Sequence, residues 1–100
     1  MGKSGSKRGA NPPRGLSPAS RRLWVEFTSA WTINVEGREL LRLGLLARDR
    51  MEAASAILRR DGLTTVVRGG SVRPHPAVKI LNAERAAYVA ALRALGLEGG

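Results

Sequence analysis

Few residue types in this sequence could support catalysis, because the chain has one histidine and no cysteine. A serine or cysteine triad would have to use His75, and a metal centre needs several convergent ligands. His75 lies between Pro74 and Pro76, where turn formation and helix capping are the usual roles. The carboxylate pair Glu36/Glu39 is explained by its place at a predicted helix start. We therefore expect no enzymatic activity, no metal site and no cofactor.

The seventeen lysines and arginines indicate a different chemistry, the binding of a polyanion. The formal net charge is +9, and six basic residues precede the first acidic one, Glu26. These six are Lys3, Lys7, Arg8, Arg14, Arg21 and Arg22. Residues 26–100 hold eleven basic and eight acidic side chains. This distribution favours nucleic acid as the partner, ahead of a membrane surface or an acidic protein. The alternative is that the arginine-rich composition reflects coding bias and solubility.

A second basic cluster is predicted on the exposed side of the second helix. It comprises Arg38, Arg42 and the segment Arg48–Arg50. Asp49 and Glu52 lie among these arginines and partly neutralise them. We expect the N-terminal cations to contact phosphates, which position a protein on DNA without reading its sequence, and Arg38 and Arg42 to extend that surface.

The elements that position these residues divide the chain into three parts. Residues 1–15 are rich in glycine, serine, proline and basic residues and contain no aromatic residue. Such a segment buries too little apolar surface to offset its chain entropy, which predicts a disordered basic arm. Residues 16–97 are predicted to form one helical domain and residues 98–100 a short tail. A domain of this size has a small core, so oligomerisation is expected.

The first helix is predicted to begin at Ser17-Pro18, with serine as the N-cap and proline in the first position. Apolar residues then recur at helical spacing on one face, at Leu23, Phe27, Ala30 and Trp31. Three aromatic residues of this helix are predicted to pack in the core or between subunits, with stacking on bases as the alternative; they are Trp24, Phe27 and Trp31. Arg21 and Arg22 lie in the early turns, where positive charge is mildly unfavourable because it opposes the helix dipole. A nearby phosphate would reduce this cost; the alternative is that both are ordinary surface arginines.

The second helix is predicted to run from Val35 or Glu36 to Arg60. Asn34 is the expected N-cap, and Gly62 is the expected left-handed residue that ends the helix. The expected apolar face comprises Leu40, Leu43, Ala47, Met51, Ala54, Ile57 and Leu58. At 1.5 Å per residue such a helix is about 37 Å long. This exceeds what a compact small domain needs, so we expect the helix to pack against copies of itself.

A β-hairpin is predicted between the second and third helices. The segment Thr64–Val67, which includes Val66, is β-branched throughout, and Ser71–Arg73 is the expected return strand. Gly69 and Gly70 supply the positive φ angles that a tight turn requires.

The third helix is predicted to have His75 at its cap position and Pro76 at its first position. It is expected to continue to about Leu95 and to end at Gly96. The predicted fold is therefore mainly α, with three helices, a long central one among them, and a β-hairpin inserted before the last.

With these elements placed, the chain resembles the phage terminase small subunit family from Leu16 to Leu97. The resemblance depends on the order and spacing of several short features around the long helix and the Gly-containing hairpin. They are Leu16-Ser17 with Trp24, Asp61-Gly62-Leu63, His75-Pro76 and Leu95-Gly96-Leu97. Few residues follow Leu97, in contrast to typical members, so no long C-terminal docking segment is expected.

The resemblance implies a non-catalytic DNA-recognition protein of a bacteriophage genome-packaging motor, acting in the host cytoplasm. Such proteins form homo-oligomeric rings, bind double-stranded viral DNA, and recruit or regulate the large subunit, which carries the ATPase and nuclease. The resemblance further implies that the hairpin region supports a ring-forming oligomer. Together with the three aromatic residues, the expected assembly or structural positions are Gly62, Val66, Gly69, Gly70, His75 and Pro76.

The main alternative is a small helical DNA-binding transcriptional regulator, monomeric or dimeric. The first two predicted helices lack the short Gly-containing turn and the second, short recognition helix of a helix-turn-helix motif. A ribosome-associated basic protein would explain the arm but not the hairpin. No apolar run approaches the roughly 20 residues that cross a bilayer, so we expect a soluble, cytoplasmic protein without a membrane partner.

Overall fold

The computed structural model describes residues 9–97 and contains three helices and one hairpin in that range. The order is α1 (Pro18–Ala30), α2 (Val35–Asp61), β1 (Thr64–Val66), β2 (Val72–Pro74) and α3 (Pro76–Leu95). The predicted mainly helical fold, with a two-stranded antiparallel hairpin before the last helix, is confirmed. Lys3, Lys7 and Arg8 of the predicted arm lie outside the described residues, as does the predicted tail.

Each helix begins after a residue whose side chain accepts a hydrogen bond from a backbone N–H of the first turn. The acceptors are Ser17 Oγ (3.1 Å), Asn34 Oδ1 (2.7 Å) and His75 Nδ1 (3.0 Å). Proline occupies the first helical position of α1 and α3, where no N–H is needed. All three predicted caps are confirmed, because capping depends on residue types within one turn.

Helices α2 and α3 pack side by side in opposite directions and form the body of the molecule. Gly44 near the start of α2 lies against Ala91 near the end of α3, whereas Leu58 near the end of α2 clusters with Ala77 at the start of α3. A Cβ on Gly44 would lie 2.7 Å from the Ala91 Cβ, so the close approach of the two helices requires a glycine there. The result is an elongated molecule with extents of 60 × 23 × 20 Å.

The core is divided into two clusters along this helix pair. The first cluster joins all three helices and has large side chains; it comprises Leu16, Trp24, Ile33, Leu41, Leu45, Leu95 and Leu97. The second cluster, next to the hairpin, comprises Ala54, Leu58 and Ala77, with Ile57, Val78 and Leu81 partly buried against it. The half of the molecule that contains α1 is therefore packed more heavily than the half that contains the hairpin.

One detail of the apolar faces differs from the expectation. Leu43 was expected on the buried face of α2 but is 50% exposed, whereas Leu41 and Leu45 are buried. The reason is that α2 contacts both α1 and α3. Its buried residues therefore lie on two faces of the helix, one toward each partner, and not on one apolar face. In α1 the buried aromatic residue is Trp24, while Phe27 lies half-buried against the first cluster.

The segment from residue 9 to residue 15, expected to belong to a disordered arm, runs back along α1. Ala10 N–H donates to Thr28 Oγ1 at 2.8 Å, and Ala10 packs against the first core cluster. Gly9 lies so close to α1 that a Cβ at this position would clash with the Val25 carbonyl oxygen. Leu16 is buried and fixes the other end of the segment. Small residues at positions 9 and 10 thus allow a close contact that composition alone did not indicate.

The hairpin has strands of three residues each, with Val66 directly opposite Val72. Its turn contains Gly69 and Gly70 at φ angles of 92° and 86°, as predicted. The exposed fractions of Val66 and Val72 are 71% and 64%, so within residues 9–97 this face of the hairpin is not packed against another element. A two-stranded hairpin of this kind is marginally stable by itself.

Candidate nucleic-acid interface

Three of the predicted DNA-binding arginines lie close together in sequence on and beside α1, and all three are exposed. We call Arg14, Arg21 and Arg22 the arm surface. Arg21 and Arg22 line an open groove of about 420 Å³ together with Pro12, Val25 and Glu26. The groove forms because the segment before α1 returns along the helix and is held there by the Ala10–Thr28 hydrogen bond.

The start of α1 is anchored to the middle of α2 by Asp49. The Asp49 carboxylate accepts hydrogen bonds from Ser17 N–H (2.8 Å), Ser17 Oγ–H (2.6 Å) and Ser20 Oγ–H (2.5 Å). Burial disfavours ionisation of Asp49, but the hydrogen bonds outweigh it and hold the pKa of the carboxyl below its usual value. The carboxylate also places a negative charge at the N-terminus of α1, which suits the helix dipole.

This role of Asp49 differs from the predicted one. The sequence interpretation assigned Asp49 to partial neutralisation of the arginines around it, whereas its two closest partners are serines of α1. Arg48 is a more distant partner, at 3.8 Å from Asp49 Oδ1. Ser17 and Asp49 are 32 residues apart, so no local pattern could have indicated this contact.

The predicted second basic cluster on α2 is largely neutralised in the structure. Arg42 forms two hydrogen bonds with Glu39, at 2.6 and 3.1 Å, and these hold the pKa of the Glu39 carboxyl below its usual value. Arg50 pairs with Glu84 at 3.8 Å. Arg38 is exposed, and within residues 9–97 it has no ion pair. The arm surface, in contrast, has no carboxylate within ion-pair distance among the described residues.

His75 joins three elements of the chain. Its Nδ1 accepts from Ala77 N–H at the start of α3, so the ring proton is on Nε2, which donates to Asp61 Oδ2 at 3.1 Å. Its backbone N–H donates to Leu63 O at 2.8 Å, beside the hairpin. Hydrogen bonds from Arg60, which have the larger effect, and from His75 lower the pKa of Asp61 to about 2. His75 therefore connects the end of α2, the hairpin and the start of α3 within one chain.

A second open groove lies where the hairpin meets α3. Its volume is about 550 Å³, and its lining includes Arg73, His75, Pro76, Lys79 and Asn82. Neither Arg73 nor Lys79 was predicted to bind DNA. The signal that could have identified them is the sequence between Asp61 and Glu84, which contains no acidic residue.

The described part of the chain also has exposed apolar surface that could contact another copy. On the hairpin, Val66 and Val72 lie on one face, and Leu63 is exposed beside them. On α3, exposed residues without charge recur every three or four positions and share one face. They are Ile80, Ala83, Ala87, Ala90 and Ala94.

The remaining predicted assembly positions have identifiable structural roles within one chain. Gly62 ends α2 with a φ of 86°, and Pro76 is exposed at the first position of α3. Trp24 is buried in the first core cluster, while Phe27 and Trp31 pack against that cluster with part of their surface exposed.

Within residues 9–97, no three histidine, cysteine or carboxylate side chains are grouped so that they could hold a metal ion. No helix of the described chain has the length and apolar character needed to span a bilayer. No family model matches the chain, and neither a curated protein nor a solved structure matches it.

Proposed function

We propose that this chain is the small subunit of a phage terminase, which binds double-stranded viral DNA and recruits or regulates the large ATPase–nuclease subunit. The sequence resemblance supports this function, and so does the arm surface, which is the observation that carries the DNA-binding part. Arg14, Arg21 and Arg22 are exposed, and within residues 9–97 none of them forms an ion pair. Arg21 and Arg22 also border a groove, whose lining includes Glu26.

The proposed DNA contact is with the phosphate backbone. Guanidinium groups on an exposed surface suit phosphate oxygens, and the arm surface contains no aromatic residue that could stack on a base. Trp24 of α1 is buried in the core, which removes it from base contact. The protein would therefore bind duplex DNA with a strong dependence on salt and with little sequence information from this surface.

Self-assembly into a ring is the second part of the proposal. The exposed valines of the hairpin and the uncharged face of α3 support it, because exposed apolar surface of this kind is commonly covered by another chain. The light packing of the second core cluster supports it as well, since contact with a neighbouring copy would bury that half further. In this proposal the chain itself performs no reaction.

The test is a titration of a duplex of about 30 base pairs at several salt concentrations, together with light scattering of the protein alone. Combining Arg14→Gln, Arg21→Gln and Arg22→Gln should weaken binding and reduce the slope of log affinity against log salt by about 2–3, because each lost phosphate contact removes about 0.9. A control removes exposed cations elsewhere that have no ion pair among the described residues, in Arg59→Gln and Arg85→Gln, and should change the slope little.

Two results would contradict the proposal. Wild-type protein that does not bind duplex DNA would refute the DNA-binding part. A monomer at micromolar concentration would refute the ring, and a DNA-binding monomer or dimer would support the alternative, a small transcriptional regulator.

A further inference from the structure

The net positive charge of the chain comes from two stretches without acidic residues. Residues 1–25 contain six basic residues and residues 62–83 contain three, and neither stretch has an aspartate or glutamate. The stretch 26–61 has six basic and six acidic residues, and the stretch 84–100 has two of each. The whole net charge of +9 therefore resides in the two acid-free stretches.

The second of these stretches coincides with the hairpin and the first two turns of α3. Its three cations are Arg68 in the turn, Arg73 on β2 and Lys79 on α3, and all three are exposed. We call these three residues the hairpin surface. Arg73 and Lys79 border the same groove of about 550 Å³, so the fold brings the two cations to one cleft.

The acidic residues on either side of this stretch are engaged by other partners. Asp61 binds Arg60 at 2.6 Å and His75 at 3.1 Å, and Glu84 pairs with Arg50. Within residues 9–97, no carboxylate lies within ion-pair distance of Arg68, Arg73 or Lys79. The hairpin surface thus resembles the arm surface in having cations without counter-charges.

The two surfaces are far enough apart to be separate contacts. The start of α1 is anchored at Asp49, and α2 continues for twelve more residues to Asp61, which is about 18 Å at 1.5 Å per residue. The hairpin begins beyond that point. A surface at this distance from the arm surface would meet different phosphates of a bound duplex.

The hairpin also separates its basic side from its apolar side. Arg73 is paired with Thr65, whereas Val66 is paired with Val72. Because neighbouring residues in a strand point to opposite faces, the Arg73 side chain lies on the face away from the two valines. One face can therefore contact DNA while the other contacts a second copy of the chain.

We infer that the hairpin surface is a second contact for the phosphate backbone of duplex DNA, so that each chain binds DNA at two separate places. This inference rests on the proposed DNA-binding function. Arg68, Arg73 and Lys79 supply the phosphate contacts, and the groove beside α3 admits the backbone.

The experiment compares the hairpin variant Arg68→Gln, Arg73→Gln and Lys79→Gln with wild type in the same salt-dependent titration. The slope should fall by about 2–3 from the loss of three phosphate contacts, and a combined arm and hairpin variant should lose the sum of the two effects. The variant Arg68→Lys with Arg73→Lys keeps the charge and should keep most of the slope. The control with Arg59→Gln and Arg85→Gln removes cations from the neutral stretches and leaves the Arg50–Glu84 pair intact.

The outcomes separate this inference from the proposed function. If wild type binds and the arm variant loses affinity while the hairpin variant keeps its full slope, the second contact is refuted and the proposed function stands. If wild type does not bind duplex DNA, the proposed function itself fails. Light scattering of the hairpin variant is measured in parallel, and a loss of affinity that accompanies a changed oligomer mass would assign these cations to assembly and refute the inference.

Discussion

The α1 half and the hairpin half of this molecule both present cations without counter-charges, but they are stabilised in different ways. Around α1, large apolar side chains from three helices form the core, and a partly buried carboxylate fixes the helix start. Around the hairpin, Leu58 is the one large buried side chain of the second cluster, its other members are small or partly exposed, and both strands have only three residues. The comparison shows that the arm surface lies on the more heavily packed half of the molecule and the hairpin surface on the less packed half.

The largest difference between the halves should appear when a core leucine is truncated. Leu45 is completely buried in the first cluster, and Leu45→Ala should lower the free energy of unfolding by about 3–5 kcal/mol, because it leaves a cavity among rigid neighbours. Leu58→Ala in the second cluster should cost about 2–3 kcal/mol, since its smaller and partly exposed neighbours can relax. Chemical denaturation measures both. Equal losses would contradict the proposed difference in packing.

A smaller effect is expected from the anchor of α1. Asp49→Asn leaves an amide group facing serine hydroxyls and should lower the free energy of unfolding by about 1–3 kcal/mol. Glu52→Gln three residues away is a matched control, because Glu52 is exposed and has no ion pair among the described residues; it should change stability little.

The same anchor predicts a pH dependence with a definite sign. The pKa of folded Asp49 lies below its usual value of 3.8, so its contribution is fully present above that pH and is lost as pH falls through the folded pKa. The stability difference between wild type and Asp49→Asn should therefore shrink below pH 3.8. A difference that stays constant down to acid unfolding would assign the effect to packing instead of charge.

The smallest effect is expected at the hairpin, from the cap of α3. His75→Ala removes both the cap and the contact with Asp61 and should cost about 1 kcal/mol. His75→Asn can still accept the Ala77 N–H and should recover most of that loss. Thermal unfolding followed by circular dichroism measures both variants. If the asparagine variant is no more stable than the alanine variant, capping is not the main contribution of His75.

Local rules account for most of what could be predicted from the sequence. The capping residues Ser17, Asn34 and His75 and the glycines of the hairpin turn act within a few residues of themselves, so their types reveal their roles. Helix ends were therefore predicted to within about a residue.

The features that escaped prediction depend on contacts between distant segments. Asp49 bonds to Ser17 across 32 residues, and Ala10 bonds to Thr28 across 18. The exposure of Leu43 follows from the positions of two partner helices around α2, which spacing in α2 alone does not encode. Arg73 and Lys79 share a groove only because the hairpin folds beside α3. The grouping of basic residues could thus be predicted where they are adjacent in sequence, and it could not be predicted where folding brings them together.

The contacts of His75 with three elements have a consequence for local unfolding. Its side chain bonds to Asp61 at the end of α2 and to Ala77 in α3, and its backbone N–H bonds to Leu63 beside the hairpin. Opening of the hairpin therefore breaks the cap of α3 at the same time, so the amide protons from Leu63 to Ala77 should exchange with solvent as one cooperative unit. The lightly packed half of the molecule would then fluctuate as a single block, and the hairpin surface would move with it.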